Sequence, residues 1–340
     1  MKSQVHYMNT KINAAITAVG GYVPETVLDN AALERMVDTS DAWILSRTGI
    51  KERRILEEGK ATSDMAALAI QNLLESSGVK PEEIEVLILA TSTPDHNLAP
   101  AAPLAAQKAG LINAWGFDLN AACSGFLYAL SVAASFIESG RHKKVLLVGA
   151  DKMSAIVNYE DRNTCVLFGD GAGVVLLEPS TGDAAVMDAI YKSDGNGVQF
   201  LSVPAGGSAE GTNDQTIEGK RHYVSQDGRT VFKNAINGMT STSNELLQRN
   251  NLTTDDINWV VPHQANLRII DAVGQNLGLT KEKVKVNIER YGNTTAATLP
   301  LCLWDFHKDF NPGDKILLTA FGAGFTWGST YVVWGELKNK

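Results

Sequence analysis

PEEIEVLILAT, at residues 81–91, is a polar turn followed by a short apolar strand, and TTDDINWVVPH repeats this order at residues 253–263. With Ile84 placed over Ile257, the two stretches lie 173 positions apart. Short apolar runs of this kind are typical of buried strands in parallel sheets. The repeated turn and strand are the first indication that the chain contains the same unit twice.

Two further pairs of stretches repeat at almost the same distance. Asn120 of NAACSGFLYAL falls over Asn293 of NTTAATLPLCL at the offset of 173, and Lys144 of KVLLVGA falls over Lys315 of KILLTAF at an offset of 171. Chance similarity is the alternative, because the strands of α/β proteins resemble one another. Three landmarks at a nearly constant offset favour a duplicated unit of about 170 residues.

Strands and helices alternate along the chain, which indicates an α/β fold with a sheet covered on both faces. The predicted strands are 12–24, 84–91, 117–120, 143–151, 165–179, 257–263, 315–325 and 327–337. The predicted helices are 61–79, 99–110, 123–139, 237–252, 266–279 and 293–310, with a further helix start within 39–50. No Pro/Ser-rich linker interrupts the chain, so we expect two similar halves, 12–179 and 180–340, packed as one body after a disordered extension, 1–11.

Composition excludes several classes of protein. The 340 residues carry a net charge of −8, and a nucleic-acid binder that neutralises phosphates would normally be basic. The three cysteines form no CxxC pair, so neither a disulfide framework nor a zinc site is indicated. The first residues, MKSQVHYMNTK, have no apolar core that could act as a signal peptide, and no apolar run approaches the ~20 residues needed to span a membrane. We therefore expect a cytoplasmic protein with no membrane or nucleic-acid partner.

Cys123 is the first candidate for chemistry, because it follows a predicted strand and opens the helix SGFLYALSVAASFIESG. A thiol at a helix N-terminus is close to free N–H groups, which predicts a lowered pKa and a reactive thiolate. A small buried hydrophobic residue is the alternative role. Cys165, predicted in an apolar strand, and Cys302, on an apolar helix face, fit that structural role.

His263 and Asn293 are the other two candidates. His263 ends a predicted strand, which is where open α/β sheets place their sites, although a structural histidine is the alternative. Asn293 opens a predicted helix and could be an N-cap residue. The duplication places Cys123 and Asn293 at the starts of matching helices, so a quasi-twofold packing would bring them together. Cys, His and Asn at one point can carry out acyl transfer.

Two glycine-rich segments need separate interpretations. FGDGAG (168–173) is followed by a strand instead of a helix, so it is not a dinucleotide-binding fingerprint. AFGAGFTWG (320–328) also lies between two strands, and its glycines would let backbone N–H groups approach a ligand oxygen, as in an oxyanion hole. A simple tight turn is the alternative for the second segment.

Six motifs, in order along the chain, resemble those of β-ketoacyl-acyl-carrier-protein synthase III in the thiolase-like superfamily. They are SDAWILSRTGIKERRI, DLNAACSGFLYAL, RNTCVLFGDGAG, PHQANLRII, YGNTTAATLP and AFGAGFTWGS, and the similarity runs from about residue 12 to residue 337. The resemblance implies a five-layered αβαβα fold made of two duplicated halves, and a homodimer.

The resemblance also implies a reaction, the first condensation of type II fatty-acid synthesis. Cys123 would take the acyl group of an acyl-CoA, usually acetyl-CoA, with the backbone N–H groups of Cys123 and Ala323 as an oxyanion hole. His263 and Asn293 would donate hydrogen bonds to the thioester of malonyl-acyl-carrier protein as it loses carbon dioxide. Decarboxylation itself generates the carbanion, so no metal or other cofactor is expected.

The remaining residues that the resemblance assigns bind the substrates. The CoA-binding residues would be Trp43 and Arg162 around the adenine, Arg47 at a phosphate, and Gly228 and Asn266 along the pantetheine, while Lys233 and Arg268 would contact the acidic carrier protein. Leu98 stands in a loop where the family usually has an aromatic residue that reaches the partner's acyl pocket. Acetyl, branched and longer primers therefore all stay open.

Three other functions are alternatives. A related condensing enzyme of secondary metabolism would share the Cys, His and Asn but use another acyl donor or acceptor. Hydroxymethylglutaryl-CoA synthase needs a catalytic Glu, and none lies in a matching motif. A non-catalytic acyl-binding subunit would have no need of the thiol, so the presence of Cys123 argues against it.

Overall fold

The computed structural model describes residues 12–180 and 182–339, so the predicted extension 1–11 lies outside the described residues. The strands in this part of the chain are β1 Asn13–Tyr22, β2 Val27–Asp29, β3 Glu52–Arg54, β4 Val86–Ala90, β5 Trp115–Leu119, β6 Val145–Asp151, β7 Gly171–Ser180, β8 Ala185–Ser193, β9 Leu201–Ser202, β10 Ser225–Gln226, β11 Trp259–Pro262, β12 Lys315–Gly322 and β13 Thr326–Val333. The α-helices are α1 Asn30–Glu34, α2 Asp41–Thr48, α3 Thr62–Ser77, α4 Ala101–Lys108, α5 Gly125–Glu138, α6 Arg162–Cys165, α7 Asp214–Glu218, α8 Gly228–Arg249, α9 Leu267–Asn276, α10 Ile288–Tyr291 and α11 Thr298–Phe306.

Two central sheets organise these elements. The first has the strand order β1-β7-β6-β4-β5, in which β4 is parallel to both β5 and β6 while β7 is antiparallel to both β6 and β1. The second has the order β11-β12-β13-β8, in which β11 and β12 are parallel and the other pairs are antiparallel. The strands β8, β13, β12 and β11 of the second sheet thus correspond, in order and in direction, to β1, β7, β6 and β4 of the first.

Helices on both sides of each sheet complete five layers. Helices α5 and α11 lie between the two sheets, and their apolar side chains, such as Phe126 and Leu299, share one core with Ile16 of the first sheet and Ile316 of the second. Helices α3 and α4 cover the outer face of the first sheet, and α8 and α9 cover the outer face of the second. Both sheets are therefore buried on two faces, which explains their nearly continuous apolar strands.

Three of the differences between the element boundaries and the sequence prediction have a clear physical reason. The strand predicted over 165–179 begins only at Gly171, and Cys165 instead ends the short helix α6, where it is fully buried. Strand β8 was not predicted, because polar residues, Asp188 and Lys192, share a face with buried Ile190. Helix α8 begins nine residues before the predicted start at 237, since Asp227 accepts hydrogen bonds from the first N–H groups and acts as its N-cap.

None of the helices within the described ranges is both long and apolar enough to cross a lipid bilayer.

Candidate active site

A cavity of about 1200 Å³ opens between the two halves, where several strands and helices end and begin. Its lining includes Cys123, His263 and Asn293, which come from three segments far apart in the sequence. The structure thus brings the three predicted catalytic residues to one pocket.

Cys123 is presented by a tight turn after β5. The Oδ1 atom of Asn120 accepts a hydrogen bond from the N–H of Ala122 at 3.0 Å, and Ala122 has a φ of +48°. A 3₁₀ helix over Ala122–Ser124 then leads into α5, as the sequence predicted for this helix start. Gly322 packs directly on the turn, because a Cβ there would lie 2.7 Å from the N atom of Cys123.

The sequence-based expectation of a lowered pKa for Cys123 is wrong for this structure. The residue is only 8% exposed, and burial raises the pKa of its thiol to about 12, to which the nearby carboxylate of Asp151 adds. A charged thiolate loses its hydration in such a site, and this cost exceeds the stabilisation expected from the helix N-terminus. The thiol is therefore protonated at neutral pH.

Asn293 lies in a turn that duplicates the turn before Cys123. Its Oδ1 atom accepts a hydrogen bond from the N–H of Thr295 at 2.9 Å, and Thr295 has a φ of +56°. A second 3₁₀ helix, Thr295–Ala297, leads into α11. Asn293 is thus not the N-cap of α11, whose N-cap position is Ala297. Because Oδ1 is engaged, the Nδ2 group is the free end of the amide at the pocket wall.

One segment of the first half, residues 167–169, holds the backbone of Asn293. The N–H of Asn293 donates to the carbonyl of Leu167 at 2.8 Å, and the N–H of Gly169 donates to the carbonyl of Asn293 at 3.1 Å. The residue lies in the second half of the chain, yet its position is set by the first.

His263 follows β11 and is almost fully buried. Burial lowers the pKa of its imidazole to about 3, so the ring is neutral at pH 7. Its Nδ1 atom lies 2.7 Å from the Oγ1 of Thr298, and Thr298 also contacts the carbonyl of Thr295 at 3.2 Å. Thr298 was not predicted as a site residue, because a threonine at a helix start is ordinarily a capping residue and nothing in the sequence indicates its histidine partner.

The predicted oxyanion hole lies in the turn between β12 and β13. Ala323 and Gly324 line the pocket together with Cys123. Ala323 is not among the described residues with positive φ, so its side chain causes no backbone strain there.

The predicted CoA-binding residues lie along the same pocket. Trp43, Arg47, Gly228 and Asn266 line it, and the Nδ2 of Asn266 donates to the carbonyl of Arg47 at 3.0 Å. The guanidinium of Arg162 lies 5.0 Å from the centroid of the Trp43 ring. An adenine base that inserted between the indole of Trp43 and the guanidinium of Arg162 would have to displace the guanidinium.

The predicted docking residues, Lys233 on α8 and Arg268 on α9, are exposed at neighbouring helices. Arg268 lines the pocket entrance, and its guanidinium lies 5.1 Å from the centroid of the Phe232 ring. Arg229 lines the same entrance and was not predicted. Its position one helical turn before Lys233 is the signal that could have indicated it.

Three predicted site residues do not line this pocket. Arg162 and Lys233 adjoin residues that do, Trp43 and Phe232, and Leu98 is the third. It is fully exposed in the loop between β4 and α4, with a φ of +79°. It does not line the cavity of its own chain.

Comparison with known proteins gives consistent similarities. Residues 117–195 match the family described as 3-Oxoacyl-[acyl-carrier-protein (ACP)] synthase III, and residues 247–334 match the C-terminal part of that description. The chain is 54% identical over 326 residues to "Beta-ketoacyl-[acyl-carrier-protein] synthase III 2" of Bacteroides thetaiotaomicron, covering 96% of this chain and 97% of that protein.

Solved structures resemble this one over nearly its whole length. The 3-oxoacyl-[acyl-carrier-protein] synthase III of Aquifex aeolicus superposes with a TM-score of 0.87 at 40% identity, covering 94% of this chain and 100% of the other. The priming β-ketosynthase from the R1128 polyketide biosynthetic pathway superposes with a TM-score of 0.88 at 33% identity, covering 96% of this chain and 97% of the other.

Proposed function

The chain belongs to the β-ketoacyl-acyl-carrier-protein synthase III family, and on that premise we propose that it condenses an acyl-CoA, with acetyl-CoA as the expected donor, with malonyl-acyl-carrier protein. It is an acyltransferase of fatty-acid biosynthesis with the five-layered fold that its motifs implied. The observation that carries the proposed reaction is the convergence of Cys123, His263 and Asn293 on one pocket.

In the first half-reaction, the Sγ atom of Cys123 attacks the thioester carbonyl of the acyl-CoA. The C–S bond to CoA breaks, and the proton of the thiol ends on the CoA sulfur. The N–H groups of Cys123 and Ala323 stabilise the oxyanion that forms during the attack. Because the thiol of Cys123 is protonated at neutral pH, its proton leaves as the new C–S bond forms.

In the second half-reaction, carbon dioxide leaves the malonyl thioester and an enolate remains. The free Nδ2 group of Asn293 and the Nε2 of His263 donate hydrogen bonds to the enolate oxygen. The single hydroxyl proton of Thr298 can be donated to the carbonyl of Thr295 or to the Nδ1 of His263. When it is donated to Nδ1, the neutral ring of His263 carries its proton on Nε2. The enolate carbon then attacks the carbonyl of the acyl group on Cys123, and the C–S bond to Cys123 breaks. The sulfur leaves as a thiolate and takes a proton from water, while 3-oxoacyl-carrier protein is released.

These steps use only groups of the chain and of the two substrates, so the proposal includes no metal and no other cofactor. The CoA would lie along Trp43, Arg47 and Asn266, which line the pocket between its entrance and Cys123. Stacking on the indole and charge-assisted bonds to phosphate are the expected sources of affinity. Gly228 would allow the pantetheine to pass close to the backbone, and Arg162 would close over the adenine.

The carrier protein would dock at the pocket entrance, where Arg229, Lys233 and Arg268 supply positive charge. A net charge of −8 makes the rest of the surface unfavourable for an acidic partner, so this local patch would direct the encounter. The cytoplasmic location expected from the sequence is part of the same proposal.

A homodimer is also part of the proposal. Strand β5 lies at the edge of the first sheet and pairs only with β4 in the described part of the chain. Exposed apolar residues, Ile112 and Trp115, lie beside this edge, and Leu98 is exposed in the loop after β4. Covering such an edge with a second copy would bury these side chains, and Leu98 could then reach the partner's acyl pocket.

We also propose that 12–179 and 180–340 are the two halves of each protomer.

The sharpest test is a condensation assay with a panel of acyl-CoAs, with mass spectrometry of the acyl adduct on Cys123. The proposal predicts an adduct on Cys123 and release of carbon dioxide from malonyl-carrier protein in the presence of acetyl-CoA. A priming enzyme of polyketide synthesis is the second candidate, since a solved structure of that kind superposes closely. It would show a preference for other acyl donors or acceptors. An acyl-binding subunit would release no carbon dioxide at all.

A further inference from the structure

Asp151 is a fully buried carboxylate that the proposed reaction does not use. It is the last residue of β6, the middle strand of the first sheet. Burial raises the pKa of Asp151 to about 6, so the group is mostly ionised at neutral pH. A buried charge is costly to maintain, which indicates that its hydrogen bonds matter to the site.

Its two oxygens contact different halves of the molecule. Oδ1 accepts hydrogen bonds from the Oγ1 of Thr91 at 3.1 Å, the N–H of Ser92 at 2.7 Å, and both the N–H and the Oγ1 of Thr93, at 3.1 Å and 2.9 Å. Oδ2 accepts a single hydrogen bond, from the N–H of Ala296 at 3.0 Å. All five donors are neutral. The carboxylate therefore joins the loop after β4 to the 3₁₀ helix Thr295–Ala297.

This 3₁₀ helix carries conformational strain beside a predicted catalytic residue. Thr295 is β-branched, yet its φ is +56°, a conformation that costs of order 1–3 kcal/mol and persists only when its surroundings impose it. The Oδ1 of Asn293 binds the N–H of Thr295 on one side, and Asp151 binds the next N–H, that of Ala296, on the other. Gly149 allows the close approach, because a Cβ there would lie 2.3 Å from the carbonyl oxygen of Ala296.

We propose that Asp151 is a positioning residue whose carboxylate holds the 3₁₀ helix Thr295–Ala297 against β6 and thereby fixes the amide of Asn293 at the pocket. The inference rests on the proposed function, because it assigns the residue to the half-reaction that uses Asn293. The same negative charge lies near enough to Cys123, the titratable group on the facing turn, to oppose ionisation of its thiol.

Asp151→Asn tests both effects. The amide oxygen replaces Oδ1, which has four donors, so the NH₂ group points at the N–H of Ala296 and repels it. Decarboxylation of malonyl-carrier protein should fall at least about 10²-fold, the loss typical of one misplaced oxyanion donor, while acylation by acetyl-CoA falls much less. With the charge removed, iodoacetamide should alkylate Cys123 faster between pH 7 and 9, about tenfold for each unit by which the thiol's pKa falls.

Two further variants separate position from charge. Asp151→Glu keeps the charge but adds a methylene, so decarboxylation should fall while the rate of alkylation stays at the wild-type value. Thr93→Val removes one of the four donors to Oδ1 while it leaves the carboxylate and its bond to Ala296 in place, and it should also lower decarboxylation more than acylation. Asp118→Asn is the matched control, because Asp118 likewise accepts backbone N–H bonds, from Ala101 and Ala102, but these hold the start of α4 and not the 3₁₀ helix Thr295–Ala297.

The wild-type protein is assayed in parallel and separates the two proposals. A wild type that forms no acyl-Cys123 and releases no carbon dioxide contradicts the proposed function. If the wild type is active, the Asp151→Asn result decides the role of Asp151. Asp151 has no positioning role if the folded variant loses both half-reactions equally and its Cys123 is alkylated at the wild-type rate. If Asp151→Asn does not fold, an unchanged ratio of the two half-reactions in Thr93→Val overturns the proposal.

Discussion

Replacing Asn293 with Asp changes the reacting end of the side chain without disturbing its structural end. In the native protein Oδ1 accepts the N–H of Thr295 at 2.9 Å, and Nδ2 is the free donor at the pocket. A carboxylate keeps the acceptor for Thr295, so the turn and its strained φ should persist. It removes the donor and places a negative charge where the enolate oxygen forms.

The expected loss follows from two effects. Removal of one oxyanion donor costs about 10²–10³ in rate. Repulsion between two unit charges about 4 Å apart adds about 4 kcal/mol at an effective dielectric constant of 20, which is about a further 10³. Decarboxylation by Asn293→Asp should thus fall at least about 10⁴-fold at pH 8, where a carboxyl group is ionised. Acylation of Cys123 should be unchanged, since Asn293 does not act in that step.

The assay follows both half-reactions in the same preparations. Release of labelled carbon dioxide from malonyl-carrier protein measures decarboxylation, and rapid-quench labelling with acetyl-CoA measures acylation. Asn293→Ala is the companion variant, because it also leaves the N–H of Thr295 without an acceptor and should lower the unfolding free energy by about 1–3 kcal/mol. If Asn293→Asp released carbon dioxide at more than about 1% of the wild-type rate, the amide would not be an oxyanion donor.

Four other changes give independent predictions. Cys123→Ser should form no acyl adduct by mass spectrometry, because an unactivated hydroxyl is a far weaker nucleophile, and a retained adduct would identify another nucleophile. Thr298→Val should lower decarboxylation and Thr298→Ser should restore it, since the hydroxyl lies 2.7 Å from the Nδ1 of His263; equal losses would indicate a packing role. Burial lowers the pKa of His263 to about 3, so below pH 6.5 only the unfolded state binds the proton and the folded protein loses stability as pH falls. His263→Asn should escape this loss, about 2 kcal/mol between pH 6.5 and 5, and an identical fall in Tm for both proteins would contradict the assignment. Arg268→Glu should raise the KM for malonyl-carrier protein, less so at high salt, without changing acylation by acyl-CoA, and an equal effect on both substrates would place Arg268 in the tunnel or the fold.

The order of most strands and helices could be predicted from the sequence, because apolar periodicity and capping residues act within a few positions. Strand β4, helix α3 and helix α9 lie within their predicted ranges. The family and the fold class were also accessible from short motifs, and both are confirmed. Strand β8 escaped prediction because polar residues, Asp188 and Lys192, share a face with buried Ile190 and obscure the alternation. The boundary near Cys165 was wrong because the apolar run 165–168 forms the last residue of α6 and the turn after it, before the strand begins at Gly171.

The electrostatic state of the nucleophile could not be predicted from its local position. A helix start argues for a stabilised thiolate at Cys123, but the neighbouring segments bury it and bring Asp151 close. Burial depends on how Gly322, 199 positions away, packs on the turn. Desolvation therefore outweighs the local dipole, and only the folded structure reveals this balance.

The sequence by itself indicated the repeated α/β halves and three candidate catalytic residues, Cys123, His263 and Asn293. Only the tertiary structure decided what surrounds them: His263 lies against Thr298, 35 positions away, and the backbone of Asn293 is held by Leu167 of the first half. Asp151 binds the N–H of Ala296 across 145 positions. Periodicity and capping are local and can be read along the chain, whereas a hydrogen bond between distant segments exists only after both have packed against the same core.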